Sequence, residues 1–219
     1  GNVRVEVEVE ERQSWGGPEP TDLVLRIPRR AEIDVTGVSS DIRIDGAGGS
    51  TLSAETVSGD VEARGEVDRL ELTAVSGDVE FAGRALRTTV ENVSGDVELD
   101  GLEGELEVSL VSGDVFLDGG AFDLGRFESV SGTFELSLEV RDGGRLSVET
   151  MSGDVDLSLP AGQAGEFRAQ TFSGDIRSQF GSPQREKSGP GTRLEHVAGE
   201  GRATIRVESF SGDVRLERR

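Results

Sequence analysis

The 219-residue sequence contains no cysteine and no tyrosine, and His196 is its only histidine. A disulfide framework, a thiolate metal site and a histidine-rich metal centre are therefore excluded. His196 on its own reads as a satisfied or exposed loop residue rather than a catalytic one. No apolar run approaches the ~20 residues that a membrane-spanning helix requires. Lysine occurs only at Lys187, so arginine supplies nearly all the positive charge, as expected of a GC-rich or salt-adapted source. No glycine-free stretch sustains an apolar stripe at 3.6-residue spacing, and Val and Thr recur beside Gly, so essentially no helix is expected.

Positive charge is also scarce. Against 43 Asp and Glu stand 23 Lys and Arg, for a formal net charge of −20. Nucleic acid and anionic lipid carry a field of the same sign, which disfavours both as partners. Cations or saline surroundings suit the chain better. With 31 Gly and 9 Phe, the core must consist mainly of Val, Leu, Ile, Ala and Phe separated by many tight turns.

What the sequence does have is repetition. Ser-Gly-Asp recurs as Ser58-Gly59-Asp60, Ser76-Gly77-Asp78, Ser94-Gly95-Asp96, Ser112-Gly113-Asp114, Ser152-Gly153-Asp154, Ser173-Gly174-Asp175 and Ser211-Gly212-Asp213. Degenerate copies stand at Ser39-Ser40-Asp41 and Ser131-Gly132-Thr133. Steps from position 40 are 19, 18, 18, 18, 19, 21 and 21 residues. That period is too short for the common helical repeats and suits one turn of a β-solenoid.

Inside each turn the residue two after the central position is apolar: Val61, Val79, Val97, Val115, Phe134, Val155, Ile176 and Val214. Four after it come Ala63, Phe81, Leu99, Leu117, Leu136 and Leu157, with Glu62, Glu80, Glu98, Glu135 and Asp156 between the two. Period-two alternation of this kind marks a strand with one dry face. A second strand follows, with Leu70-Leu72-Ala74, Thr88-Val90-Asn92 and Leu106-Val108-Leu110 inward. Val75, Val93 and Val111 break the alternation just before the corner and are expected in or near the core. Gly46, Gly65, Gly83, Gly101 and Gly119 lie where the first strand must bend.

The pattern predicts a right-handed, single-stranded parallel β-helix of about nine imperfect turns, handedness following the bias of parallel crossovers. An antiparallel sandwich is the competing all-β reading. One domain is expected over 1–219, with an N-terminal strand and cap at 1–30, regular repeats at 31–180, and an irregular excursion with the C-terminal turns at 181–219. Val3, Val5, Val7 and Val9 read as a strand, Trp15 as end-cap packing, and Leu23-Leu25-Ile27 as the approach to the first turn. The abrupt start at Gly1 fits a chain from which an export signal or anchor has been removed.

The segments ETVSGDVEA at 55–63, TAVSGDVEF at 73–81, ENVSGDVEL at 91–99 and ETMSGDVDL at 149–157 resemble a bacterial family of β-strand-repeat domains of unknown function that carries an adhesin label. The resemblance spans roughly 23–219, including Leu25-Arg26-Ile27-Pro28 as the lead-in. It implies a β-solenoid of the cell envelope or surface, with no catalytic residue to carry over.

Functional chemistry weighs little against structural need at the corners. Gly tolerates positive φ, and Ser and Asp bond to nearby backbone and hold a turn. A cation ladder on stacked Asp60, Asp78, Asp96 and Asp114 is the secondary reading, since Ca²⁺ accepts such oxygens, although the nonapeptide pattern of calcium-binding β-rolls is missing. No catalytic, cofactor-binding or dedicated metal residue is assigned, and no cofactor is implied. The expected function is a non-catalytic envelope or extracellular module that binds an unidentified surface ligand. Self-association through the solenoid ends into a scaffold is the first alternative, and a carbohydrate-active enzyme on a β-helix the second.

Overall fold

A computed structural model of the protein describes Pro28, residues 31–185 and residues 190–219. The Val3 to Val9 strand, Trp15, Leu23-Leu25-Ile27 and Lys187 lie outside the described residues, as does the rest of the expected cap at 1–30 apart from the exposed Pro28.

Alternation decides which way each side chain points, and the burial follows it residue by residue. Val61, Val79, Val97 and Val115 form one interior column, none more than 1% exposed, with Ala63, Phe81, Leu99 and Leu117 beside them. These columns belong to the strands β1 (Ile33–Ser39), β2 (Ile42–Ser58), β3 (Val61–Ser76), β4 (Val79–Ser94), β5 (Val97–Asp100), β6 (Gly104–Ser112), β7 (Val115–Ser131), β8 (Phe134–Ser152) and β9 (Val155–Leu159). The chain continues through β10 (Gly165–Ser173), β11 (Ile176–Ser178), β12 (Gln184–Arg185), β13 (Thr192–Ala198), β14 (Ala203–Ser211) and β15 (Val214–Arg218). All fifteen join one hydrogen-bonded sheet, and no helix occurs among the described residues. The fold is an all-β parallel solenoid.

The register is that of stacked repeats. Val61 pairs with Val79, Val79 with Val97, and Val97 with Val115. The sheet runs through the corners without a break, because the amide of Gly77 donates to the Ser94 carbonyl at 3.1 Å and that of Val79 to the Asp96 carbonyl at 2.9 Å. One strand of a turn buries only one face, so the dry interior exists only once neighbouring turns are in place.

Gly95 shows why a corner stacked on another turn takes glycine. Its φ is 132°, and a Cβ there would run into the carbonyl oxygen of Gly77 in the turn below. Gly153 is not among the positive-φ glycines; there it is the carbonyl of Gly132 that excludes a side chain.

The turns do not stack in chain order. Ser131 pairs with Ser152, but the other neighbour of Ser152 is Ser211, and Ser211 then pairs with Ser173. The final turn, β14 and β15, is thus inserted between the turn of β8 and β9 and the turn of β10 and β11. After β9 the chain skips one rung, roughly 9.6 Å at two strand spacings, and its C-terminal segment returns to fill the gap. Three contacts fasten the departure and the return. Asp142 accepts from the amide and the guanidinium of Arg202, each at 2.8 Å. The Gln163 side chain bonds both backbone groups of Val140 where the chain leaves the regular path. The amide of Arg219 donates to the Leu159 carbonyl at 2.9 Å.

The stretch at 192–198, within the irregular segment, is a strand, and it runs antiparallel to β10, with β12 pairing antiparallel with it. Leu194 is buried while Val197 is 66% exposed. Phe180 stacks on Phe167 at 4.6 Å and carries the guanidinium of Arg218 over its ring. An antiparallel strand thus covers the end of the parallel stack.

Candidate functional site

Every corner but that of Thr133 presents an Asp to solvent, and each of these carboxylates except that of Asp175 bonds to the turn above it. The amides of Asp60, Asp78, Asp96 and Asp114 donate to Oδ1 of Asp41, Asp60, Asp78 and Asp96 at 3.1, 2.9, 2.8 and 2.8 Å. Thr133 donates to Asp114, Asp213 to Asp154, and Asp175 to Asp213. The corner carboxylates therefore couple rungs rather than only holding their own turn. No grouping of three or more His, Cys, Asp or Glu that could hold a metal ion occurs among the described residues; Asp60, Asp78, Asp96 and Asp114 stand in a row, one to a rung.

Beneath the corners runs a buried polar column that answers their carbonyls. Asn92 donates to the carbonyls of Gly77 and Gly95 at 3.1 and 3.2 Å, Thr171 to Gly212 at 2.9 Å, and Ser209 to Gly153 at 3.3 Å. Buried backbone oxygens at a sharp bend need such donors. Thr88 Oγ1, Asn92 Oδ1 and Thr150 Oγ1 are buried without a partner.

On the face after the corner, the Glu column is partly neutralised by arginine. Arg43 binds Glu62, Arg64 bridges Glu62 and Glu80, and Arg215 binds Asp156 at 2.8 Å. Exposed Phe116 interrupts the column. On the bend, hydrogen bonding from Arg84, with Arg141 adding to it, holds the Glu103 carboxyl below its ordinary range. Arg87 does the same to Glu105. The Arg202 amide, then its guanidinium, lowers Asp142. These are surface pairs that hold rungs together. His196 lies half-buried on β13, opposite Phe167.

The side chain just before each corner serine behaves otherwise. Val75, Val93 and Val111, expected in or near the core, point outward and are 43 to 48% exposed. The buried residue beside each of them occupies the inward position, and strict alternation sends its neighbour to solvent. In register with them stand Val38, Val57, Val130, Met151, Phe210 and Phe172, all exposed. The result is one apolar column along the described solenoid, from Val38 to Phe172. Phe172 and Phe210 stack outside the core, centroids 5.0 Å apart and planes 7° from parallel. Met151, Phe210 and Phe172 wall an open groove of about 510 Å³ whose other side carries Glu128, Glu149 and Glu208.

This column is the feature that reading the sequence missed. The signal was present, since the same period-two count that buried Ala74 and Asn92 places Val75 and Val93 outside.

Among the described residues no helix is long and apolar enough to cross a membrane. A family model described as Toastrack DUF4097 matches residues 1–217. No curated protein and no solved structure matches the chain.

Proposed function

The chain belongs to the Toastrack DUF4097 family of β-solenoid domains, and from that premise we propose that it is a non-catalytic binding module of the bacterial envelope or extracellular surface. The observation that carries this reading is the exposed apolar column from Val38 to Phe172. In a chain with 30% charged residues, a continuous row of outward Val, Met and Phe is a surface held ready for contact. The described titratable side chains support the same reading. Many are distributed along the rod in repeating columns paired with arginine or backbone amides, an arrangement that presents a surface; the open groove that gathers Glu98, Asp100, Asp118, Glu135 and Asp156 is the place where the carbohydrate-active alternative would have to act. The antiparallel β13 over the last parallel rung weighs against the alternative of end-to-end stacking at that end, because it breaks the repeat that a second copy would have to continue.

The test is incubation of the purified chain with intact bacterial envelopes and with soluble envelope polysaccharides. Saturable co-sedimentation that leaves the polysaccharide uncleaved supports the reading. Steady release of new reducing ends overturns it in favour of a carbohydrate-active enzyme.

A further inference from the structure

We propose that the apolar column is the docking line for a basic amphipathic helix of a partner protein, one whose apolar row is bordered by Lys or Arg; this rests on the binding-module reading and specifies its partner.

Charge selects the partner. On one side lie the exposed corner serines and, just past them, the corner aspartates, exposed or half-exposed; Asp41, Asp60, Asp78, Asp96, Asp114, Asp154 and Asp213 each use one oxygen to receive an amide from the next rung, and Thr133 stands in their row. On the other side stand Glu55, Glu91, Glu128, Glu149 and Glu208, of which Glu128 and Glu208 are paired with Arg126 and Arg206, with Thr36, Thr73, Ser109 and Gln170 at the remaining rungs. An occupant seated on the apolar row therefore meets a nearly continuous acidic flank on the corner side and an interrupted, partly neutralised one on the other, and cationic flanks on the occupant complement the excess of carboxylates.

A second copy of this chain does not fit. Two solenoids packed column to column about a two-fold axis oppose either like borders or the Asp border to the Glu border. Both arrangements bring acid against acid, in chains of net charge −20. An anionic lipid surface is disfavoured by the same sign.

Spacing selects the helix. Outward side chains in the column recur at the strand spacing of ~4.8 Å, close to the 5.4 Å helical pitch and unlike the ~6.7 Å between same-side residues of an extended strand. Nine rungs span ~38 Å, which about 25 helical residues would cover. The groove between Phe172 and Glu149 gives one end of that helix a walled seat.

Valine is also a good strand former, so exposed valines alone could serve the sheet. The stacked Phe172 and Phe210 and the neighbouring Met151 argue otherwise. They place the largest apolar side chains of the column together at the groove rather than inside.

The experiment uses the full chain and a synthetic amphipathic peptide of about 25 residues with one Leu row bordered by Lys. The controls are the same composition scrambled and the same Leu row bordered by Glu. Saturable binding of the Lys-bordered helix alone is expected. Val75→Thr with Val93→Thr and Val111→Thr keeps the β-branched shape and should weaken binding about tenfold without moving the melting temperature. Asp60→Asn with Asp78→Asn and Asp96→Asn keeps the Oδ1 acceptor and should weaken it through charge alone. Equal binding of the scrambled peptide, or unchanged binding by the threonine variant, overturns the proposal. So does column-dependent binding to phosphatidylcholine vesicles, which assigns the line to lipid, or column-dependent dimerisation in sedimentation, which assigns it to a second copy. Each of these leaves the non-catalytic reading standing, whereas cleavage of polysaccharide removes that reading and leaves the peptide result to be judged separately.

Discussion

The amide of Asp213 donates to the carboxylate of Asp154 at 2.8 Å although 59 residues separate them. This contact seats the last turn of the chain in the interior of the stack. Deleting 203–219 therefore removes an internal rung, exposing the inner edges of β8 and β10 together with the apolar side chains between them. Such a truncation should abolish cooperative unfolding of the C-terminal half and promote aggregation through the open edges. Thermal melts and sedimentation of the shortened chain check this; a melt like that of the intact protein would contradict it.

Val93 and Val97 stand four residues apart on opposite sides of a corner, one 45% exposed and the other fully buried. Val97→Asp puts an unpaired charge into a thin core and should cost several kcal/mol. Val93→Thr should stay within about 0.5 kcal/mol of the parent, as at an ordinary surface position. Denaturant titration of both variants decides it, and comparable losses would mean that the register is wrong.

The glycines separate strain from space. Gly95 combines positive φ with a carbonyl in the way of a Cβ, Gly143 has positive φ but open space around it, and Gly162 has neither restriction. Substitution by Ala should therefore destabilise in the order Gly95, Gly143, Gly162. The Gly143 change should cost ~1 kcal/mol, with Gly95 well above it. Equal losses at Gly95 and Gly162 would remove the steric explanation of the corner.

Much of this was legible in the sequence because period two is a strong signal when it repeats. Val61 and its counterparts, Leu70 and Leu72, and the glycine corners needed no more than counting. The order of the rungs was hidden for the same reason. Ser152-Gly153-Asp154 offers the same corner to Ser173-Gly174-Asp175 as to Ser211-Gly212-Asp213, so repetition encodes register and leaves stacking order to the connections. The connection at 181–202 carries no repeat, and its antiparallel course rests on pairing with β10 that no local pattern announces. The apolar column was misread because valine next to a turn was given to the core, although Ala74 and Asn92 already held the inward positions.

Stability at the inserted rung should depend on acid in a defined direction. Asp142 has its carboxyl lowered from an ordinary value of 3.8, chiefly by the Arg202 amide and then by its side chain. A group depressed on folding contributes above its unfolded value, and the contribution is lost as pH falls through the folded one. Asp142→Asn should therefore speed hydrogen exchange at the start of β14 at neutral pH, and the difference should shrink progressively as pH falls below the ordinary value of 3.8. An effect that persists undiminished in acid would contradict the ion-pair role.

The central claim is that these columns are built rung on rung in an order the chain does not follow. Because the protein has no cysteine, disulfides introduced into the exposed column report that order directly. Met151→Cys with Phe210→Cys places the pair on adjacent rungs, within the Cα separation of roughly 4.4 to 6.8 Å that a disulfide requires. Met151→Cys with Phe172→Cys places the pair two rungs apart, roughly 9.6 Å, beyond that reach. Mild oxidation should link the first pair rapidly within the monomer and leave the second free. Rapid linkage of 151 to 172 without linkage of 151 to 210 would show turns stacked in chain order and contradict the inserted rung.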